Sequence, residues 1–281
     1  MTFSVANLAR YAVMGVLNVT PDSFSDGGQF LAVDAALDHG RDLVLAGAAM
    51  VDIGGESSRP GATPVAVDDE LARVVPVVTG LANEPVVLSV DTTKAAVAEA
   101  ALRAGASVVN DISAGLRDAA MLATIARHDG GVVLMHMQGT PATMQNAPCY
   151  DDVVREVIEF LCARVRAALA AGIREDAIMV DPGIGFAKTF DHNLELIGAL
   201  EQIAASVPAP LVVGTSRKGF LGTILGGVPA NERDAATLAT TVHAFLNGAA
   251  VVRVHDVRAS VNAARVLDAI AVHTNQRGVL T

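Results

Sequence analysis

Eight short apolar runs, each followed by a polar residue or glycine, recur along the whole chain. They are Val13 to Leu17, Met50 to Ile53, Val86 to Val90, Ser107 to Val109, Val132 to Met135, Ala177 to Val180, Leu211 to Val213 and Val251 to Val254. Between them lie stretches with the apolar spacing of helices, among them Ala35 to Ala46, Leu71 to Leu81, Ala95 to Ala104, Val153 to Ala171 and Ala235 to Leu246. Strands that read as continuous apolar runs suit a parallel sheet covered by helices on its faces. Eight such alternations in 281 residues predict an α/β fold, a (β/α)₈ TIM barrel, with an open doubly wound sheet as the alternative.

The composition agrees: 52% of residues are hydrophobic but only 4% aromatic, with no Trp, so Val, Ile, Leu and Ala must fill the interior. Gly47, Gly105, Gly172 and Gly248 each fall between a helical stretch and the next apolar run, where a left-handed C-cap is expected. No linker or low-complexity tract divides residues 1–281, so one domain is expected, with a core from about 12 to 272 and frayed ends before Tyr11 and after His273. Two connections, Met137 to Asp152 and Ser216 to Asp234, are longer than usual for a barrel and are expected to be functional or mobile loops.

A formal charge of −10 argues against nonspecific binding to nucleic acid or an anionic membrane. Cys149 and Cys162 form no disulfide-like or CxxC pattern, and Met1 to Arg10 lacks a basic stretch followed by an apolar one. A cytoplasmic setting is expected.

In a barrel the chemistry gathers at the carboxyl ends of the strands. Those positions here carry Asn18, Gly54 to Arg59, Asp91, Asn110 with Asp111, His136, Asp181 to Phe186, Ser216 to Lys218, and Arg253 to Asp256. Asp91 or Asp111 alone could equally cap the next helix or turn, but every unit delivers a polar group. Asp91, Asn110, Asp181 and Lys218 suit the donor and acceptor edge of a purine-like or pterin-like ring. Arg59, Arg217, Arg253 and His255 are the cations available for a phosphate or diphosphate, although Arg217 and Arg253 could instead pair with Asp256 or Glu232. His136 has no partner at metal-ligand spacing, which favours packing or hydrogen bonding over zinc.

Six segments carry a resemblance to a known family: Asn18 to Gly28 (Asn-Val-Thr-Pro-Asp-Ser-Phe-Ser-Asp-Gly-Gly), Gly54 to Gly61 (Gly-Gly-Glu-Ser-Ser-Arg-Pro-Gly), Asn-Asp-Ile-Ser at 110–113, Asp-Pro-Gly-Ile-Gly-Phe-Ala-Lys at 181–188, Ser-Arg-Lys at 216–218 and Arg-Val-His-Asp-Val at 253–257. In these the sequence resembles the dihydropteroate synthase family, folate-pathway enzymes that are the target of sulfonamides, from about Ala12 to about Ile270. The resemblance implies a (β/α)₈ barrel that joins a dihydropterin methyl diphosphate to 4-aminobenzoate and releases diphosphate. It implies a pterin set of Asp91, Asn110, Asp181 and Lys218, with Ile112, Met135, Gly185 and Phe186 lining the ring slot. Asn18 matches the residue linked to Mg²⁺ and diphosphate, and Arg253 and His255 match the diphosphate pair. Phe24 and Asp26 in one loop, Ser58, Arg59 and Pro60 in the next, and Ser216 match positions around the diphosphate and 4-aminobenzoate. Phe24, Ser58, Pro60, Phe186 and Ser216 are expected on the 4-aminobenzoate, and Phe24, Asp26, Arg59 and Lys218 in the catalytic step. Ser58 departs from the Thr of many members, keeping the hydroxyl and losing a methyl, and Gly219 is often a larger residue.

Two other activities share part of this pattern. Pterin-binding methyltransferase domains use the same barrel but eject no diphosphate, and a non-catalytic paralogue would bind pterin without turnover. The resemblance also implies a homodimer, through the segments Ala235 to Leu246 and Ser260 to Val272.

Overall fold

The computed structural model of the chain describes residues 2–20 and 29–278. Eight parallel strands close into a barrel in which each pairs with the next and the last returns to the first. They are β1 (Ala12–Asn18), β2 (Met50–Gly54), β3 (Val87–Asp91), β4 (Val108–Asp111), β5 (Gly131–Met135), β6 (Ile178–Asp181), β7 (Leu211–Val213) and β8 (Ala249–Val254). The helices around them are α1 (Gln29–Leu45), α2 (Val67–Leu81), α3 (Ala95–Ala104), α4 (Met121–Arg127), α5 (Val153–Ala170), α6 (Phe190–Gly198), α7 (Leu200–Ser206), α8 (Gly219–Ile224), α9 (Asp234–Leu246) and α10 (Val257–Gly278). Every apolar run named above is a strand. The four glycines before strands all take positive φ, from 93° at Gly248 to 123° at Gly105, the backbone region that costs other residues most.

Two expectations need correction. The amino-terminal segment does not fray before Tyr11: Phe3 is buried, its carbonyl accepts from Arg174, and its ring lies where a side chain on Gly131 would stand. The connection after β7 is not simply a loop, since it contains α8 and a 3₁₀ turn at Ala230–Glu232. Arg233 pins it, donating to the carbonyls of Val228 at 2.7 and 3.0 Å, Arg217 at 3.0 Å and Lys218 at 3.2 Å. A helix this short leaves too few turns for apolar periodicity to register.

Strand register determines which groups share the barrel mouth. Asn18 stands beside Gly54, Gly54 beside Asp91, Asp91 beside Asn110, and Met135 beside Asp181. Side chains alternate between faces along a strand, so these residues form one inner ring. One layer down, Asp52 faces Ser89, and on the neighbouring β1 Met14 faces Arg253. Asp111, one residue after Asn110, belongs to the opposite face. There its carboxylate accepts from the backbone of Ser113 at 2.8 Å and Gly115 at 2.6 Å, which makes it the turn residue of the pair.

Candidate active site

The inner ring is held together by side-chain hydrogen bonds between strands, two of them from strands that do not adjoin β2 and so reach it across the barrel interior. Asp52 on β2 is fully buried and accepts from Ser89 Oγ at 2.6 Å, Asn110 Nδ2 at 2.9 Å and Arg253 Nε at 2.7 Å. Arg253 also donates from Nη2 to Asp91 at 2.9 Å. Arg253 is thus spread between two carboxylates, its charge favoured by both although burial opposes it. Burial pushes Asp91 up to about 7, with Arg253 pulling it back and Asp52 adding to the rise.

On the other side of the mouth, Asp181 Oδ1 accepts from the Gly183 backbone at 2.6 Å, which curls the segment after β6. Gly183 is obligatory here: its φ is 69°, and a Cβ would lie 1.9 Å from the His136 carbonyl oxygen. Burial raises the Asp181 pKa while Lys218 opposes the rise. Lys218 donates to the Ile184 carbonyl, and its ammonium lies 4.7 Å from the centre of the Phe186 ring. Burial lowers Lys218 to about 8, with Asp181 acting against it. Ile112 and Met135 are buried, while Gly185 and Phe186 are half-buried at the rim.

Two glycines keep the centre of this ring open. A Cβ on Gly214 would sit 3.9 Å from both Asp181 Oδ2 and Lys218 Nζ, and one on Gly54 would sit 3.8 Å from both Asn18 Oδ1 and Asp91 Oδ2. The cradle above Gly54 is therefore flanked by an amide oxygen and a carboxylate oxygen, the hard donors that Mg²⁺ takes. Among the described residues no group of three His, Cys, Asp or Glu could hold a metal. Acceptors at Asp91 and Asp181, donors at Asn110 and Lys218, and the flat face of Phe186 together suit a planar heterocycle with an alternating polar edge.

The cations divide. Arg217, at φ 59°, turns away from the mouth into a bidentate pair with Asp234 at 2.7 and 2.8 Å, so neither Asp256 nor Glu232 is its partner. His255 Nδ1 lies 2.9 Å from Ser216 Oγ, and burial lowers its pKa to about 4, helped by Arg217 and Arg253. Ser216 Oγ also accepts from the His255 backbone at 3.1 Å, so one hydroxyl ties both the main chain and the ring of this residue in place. Asn18 and Ser58 are half-buried, whereas Arg59 and Pro60 are exposed. Phe24 and Asp26 lie outside the described residues.

Several groups escaped the sequence reading. Asp52, the hub of the network, sits inside an apolar run. Lys188 is buried behind Asp181, its Nζ 3.0 Å from His136 Nδ1 and 2.9 Å from the Phe186 carbonyl, and burial lowers it to about 7. Asp52 gave only the signal of a charge within an apolar run, and Lys188 closes the 181–188 family segment without having been assigned a role. His136 packs edge-on against Phe160 at 4.8 Å and holds Lys188, the packing and hydrogen-bonding role expected of it.

Comparison with known proteins adds an independent line. The family model described as "Pterin binding enzyme" matches residues 14–255. The dihydropteroate synthase of Mycobacterium leprae is 48% identical over 269 residues, with 94% of each chain covered. The solved dihydropteroate synthase of Xanthomonas albilineans with 4-aminobenzoic acid superposes at a TM-score of 0.87 and 45% identity, covering 93% of both chains. That of Burkholderia cenocepacia complexed with 7,8-dihydropteroate gives 0.86 and 44%, covering 95% of this chain and 94% of that one.

Proposed function

The chain belongs to the dihydropteroate synthase family of transferases, and from that premise we propose how its barrel mouth divides the work. Asp91, Asn110, Asp181 and Lys218 bind the pterin edge, with Ile112, Met135, Gly185 and Phe186 as the slot. The observation that carries this is the open inner ring itself, in which acceptors and donors face a cradle left free by Gly54 and Gly214.

Asn18, Ser58, Arg59, Arg253 and His255 receive the diphosphate. Asn18, whose amide oxygen borders the cradle above Gly54, would hold Mg²⁺ together with substrate oxygens. Mg²⁺, when bound, neutralises charge on the diphosphate as it leaves. The C–O bond from the pterin methylene to diphosphate breaks with its electron pair going to oxygen, while the carboxylates of Asp91 and Asp181 favour the cationic methylene. The 4-aminobenzoate nitrogen then forms the new C–N bond and releases a proton. Its amine is neutral at pH 7, so a dissociative, SN1-like step asks for no strong base. Phe24, Ser58, Pro60, Phe186 and Ser216 contact 4-aminobenzoate. Phe24, Asp26 and Arg59 complete the site over the reacting atoms, and Lys218 holds the ring.

A homodimer is part of this proposal. Leu246 at the end of α9 and Val266, Ile270 and Val272 along α10 are exposed apolar side chains in the segments assigned to the interface. The free thiols of Cys149 and Cys162 fit a cytoplasmic location, and among the described residues no helix is long and apolar enough to cross a membrane. Diphosphate release on mixing the protein with Mg²⁺ and both substrates tests the activity. Binding of pterin without release would instead favour a non-catalytic paralogue.

A further inference from the structure

We propose that Glu56, Lys94 and Glu70 form a clasp that positions the β2–α2 loop, so that Ser58 stands over the second substrate and Arg59 over the diphosphate. The proposal rests on the assignment of those two residues to diphosphate and 4-aminobenzoate. Lys94, three residues beyond Asp91, directs its ammonium to both Glu56 Oε2 in the loop and Glu70 Oε2 in the first turn of α2. The Glu70 side chain is only 1% exposed, and its other oxygen, Oε1, has no hydrogen-bond partner among the described residues. Lys94 is therefore the charge that keeps Glu70 tolerable in the interior, and Glu56 is the additional hand reaching from the loop.

The same stretch is fixed again at Gly55. Its carbonyl accepts from Arg73 Nη1 at 2.8 Å, and a Cβ there would lie 2.8 Å from Val74, so the backbone is pressed onto α2. Further on, the Gly61 backbone donates to the Pro141 carbonyl at 3.2 Å. Ser58, Arg59 and Pro60 hang between these two anchors. Lys94 thus links the strand that carries Asp91 to the loop that carries Arg59, joining the two substrate positions through one ammonium.

Steady-state kinetics of the full chain with Mg²⁺ and both substrates test this, using Glu56→Ala and Glu56→Gln with Ser58→Ala as reference. Glu56→Ala keeps the Lys94–Glu70 pair. It should raise KM for 4-aminobenzoate by about tenfold, since a small displacement of a substrate-positioning group costs that much or more. Calorimetric affinity for a dihydropterin should stay within about twofold, and Glu56→Gln should recover most of the loss because it retains the hydrogen bond. If Glu56→Ala does not fold, Glu56→Gln is judged by the same split between substrates, with an expected rise of about threefold. A 4-aminobenzoate KM unchanged in the Glu56 variants but raised in Ser58→Ala would overturn the clasp. A KM unchanged in all three would remove the loop assignment beneath it, and the clasp with it.

Discussion

The half of the mouth built from strands and the half built from loops are held by different means. Asp52, Asp91, Asn110 and Arg253 sit at strand positions whose register dictates where each side chain points, and they satisfy one another across the barrel. Arg59 and Pro60 stand exposed on a loop fixed at Gly55 and Glu56, and their partners are to be the substrates themselves. The contrast matches an order of events. A prebuilt polar slot can take the pterin ring at little reorganisation cost, while loops can close over diphosphate and shut out water that would otherwise capture the cationic methylene.

The largest effect that would break this contrast is on stability. Asp52→Ala leaves the Arg253 guanidinium with Asp91 alone of its two carboxylates, and Asn110 and Ser89 without their acceptor. Loss of one member of a buried ion pair costs about 3–5 kcal/mol, readable in denaturant melts. Ser58→Ala, on the loop side, should cost less than about 0.5 kcal/mol. Equal losses would mean that the two halves are built alike.

A smaller effect sharpens the comparison by pH. His136 behind the slot and His255 beside Ser216 are lowered by burial to about 3 and about 4. Against an unfolded value of about 6.5, each binds a proton in the unfolded chain before it does in the folded one. Their contribution is therefore fully present above about pH 6.5 and is lost as pH falls toward their folded values. Asp91, raised to about 7, acts in the opposite direction over the same window, so the test is the difference between chains: from pH 7 to 4.5 thermal melts of His255→Asn should lose less stability than those of the parent chain. An unchanged slope in that variant would remove His255 from the set of groups held neutral.

The strands were legible in the sequence for the reason that makes them strands: buried on both faces, they read as unbroken apolar runs ending at the mouth. Asp91, Asn110 and Asp181 were visible because they end such runs. Asp52 was not, because it interrupts one at Met50 to Ile53 and its partner Arg253 lies 201 residues away. Lys94 was hidden because its partners Glu56 and Glu70 come from other elements, and Lys188, although it closes a family segment, gave no sign of its contact with His136. Arg217 shows the reverse: spacing placed it with the phosphate-binding cations, and the side chain instead pairs with Asp234 at the start of α9. On the loop, Arg59 was visible as a cation just past a strand end, whereas Ser58 and Pro60 took their roles from the family motif alone, because no periodicity governs a loop.

Calorimetric titration of a dihydropterin into Asp181→Asn and Arg59→Ala tests the division most directly. Loss of a charged hydrogen-bond partner is worth about 1.5–3 kcal/mol, so Asp181→Asn should weaken pterin affinity by roughly tenfold or more. Arg59→Ala should leave it within about twofold, because no part of the slot depends on that side chain. Pterin affinity unchanged in Asp181→Asn, or lost equally in both variants, would contradict a strand-built pterin site completed by separate loops.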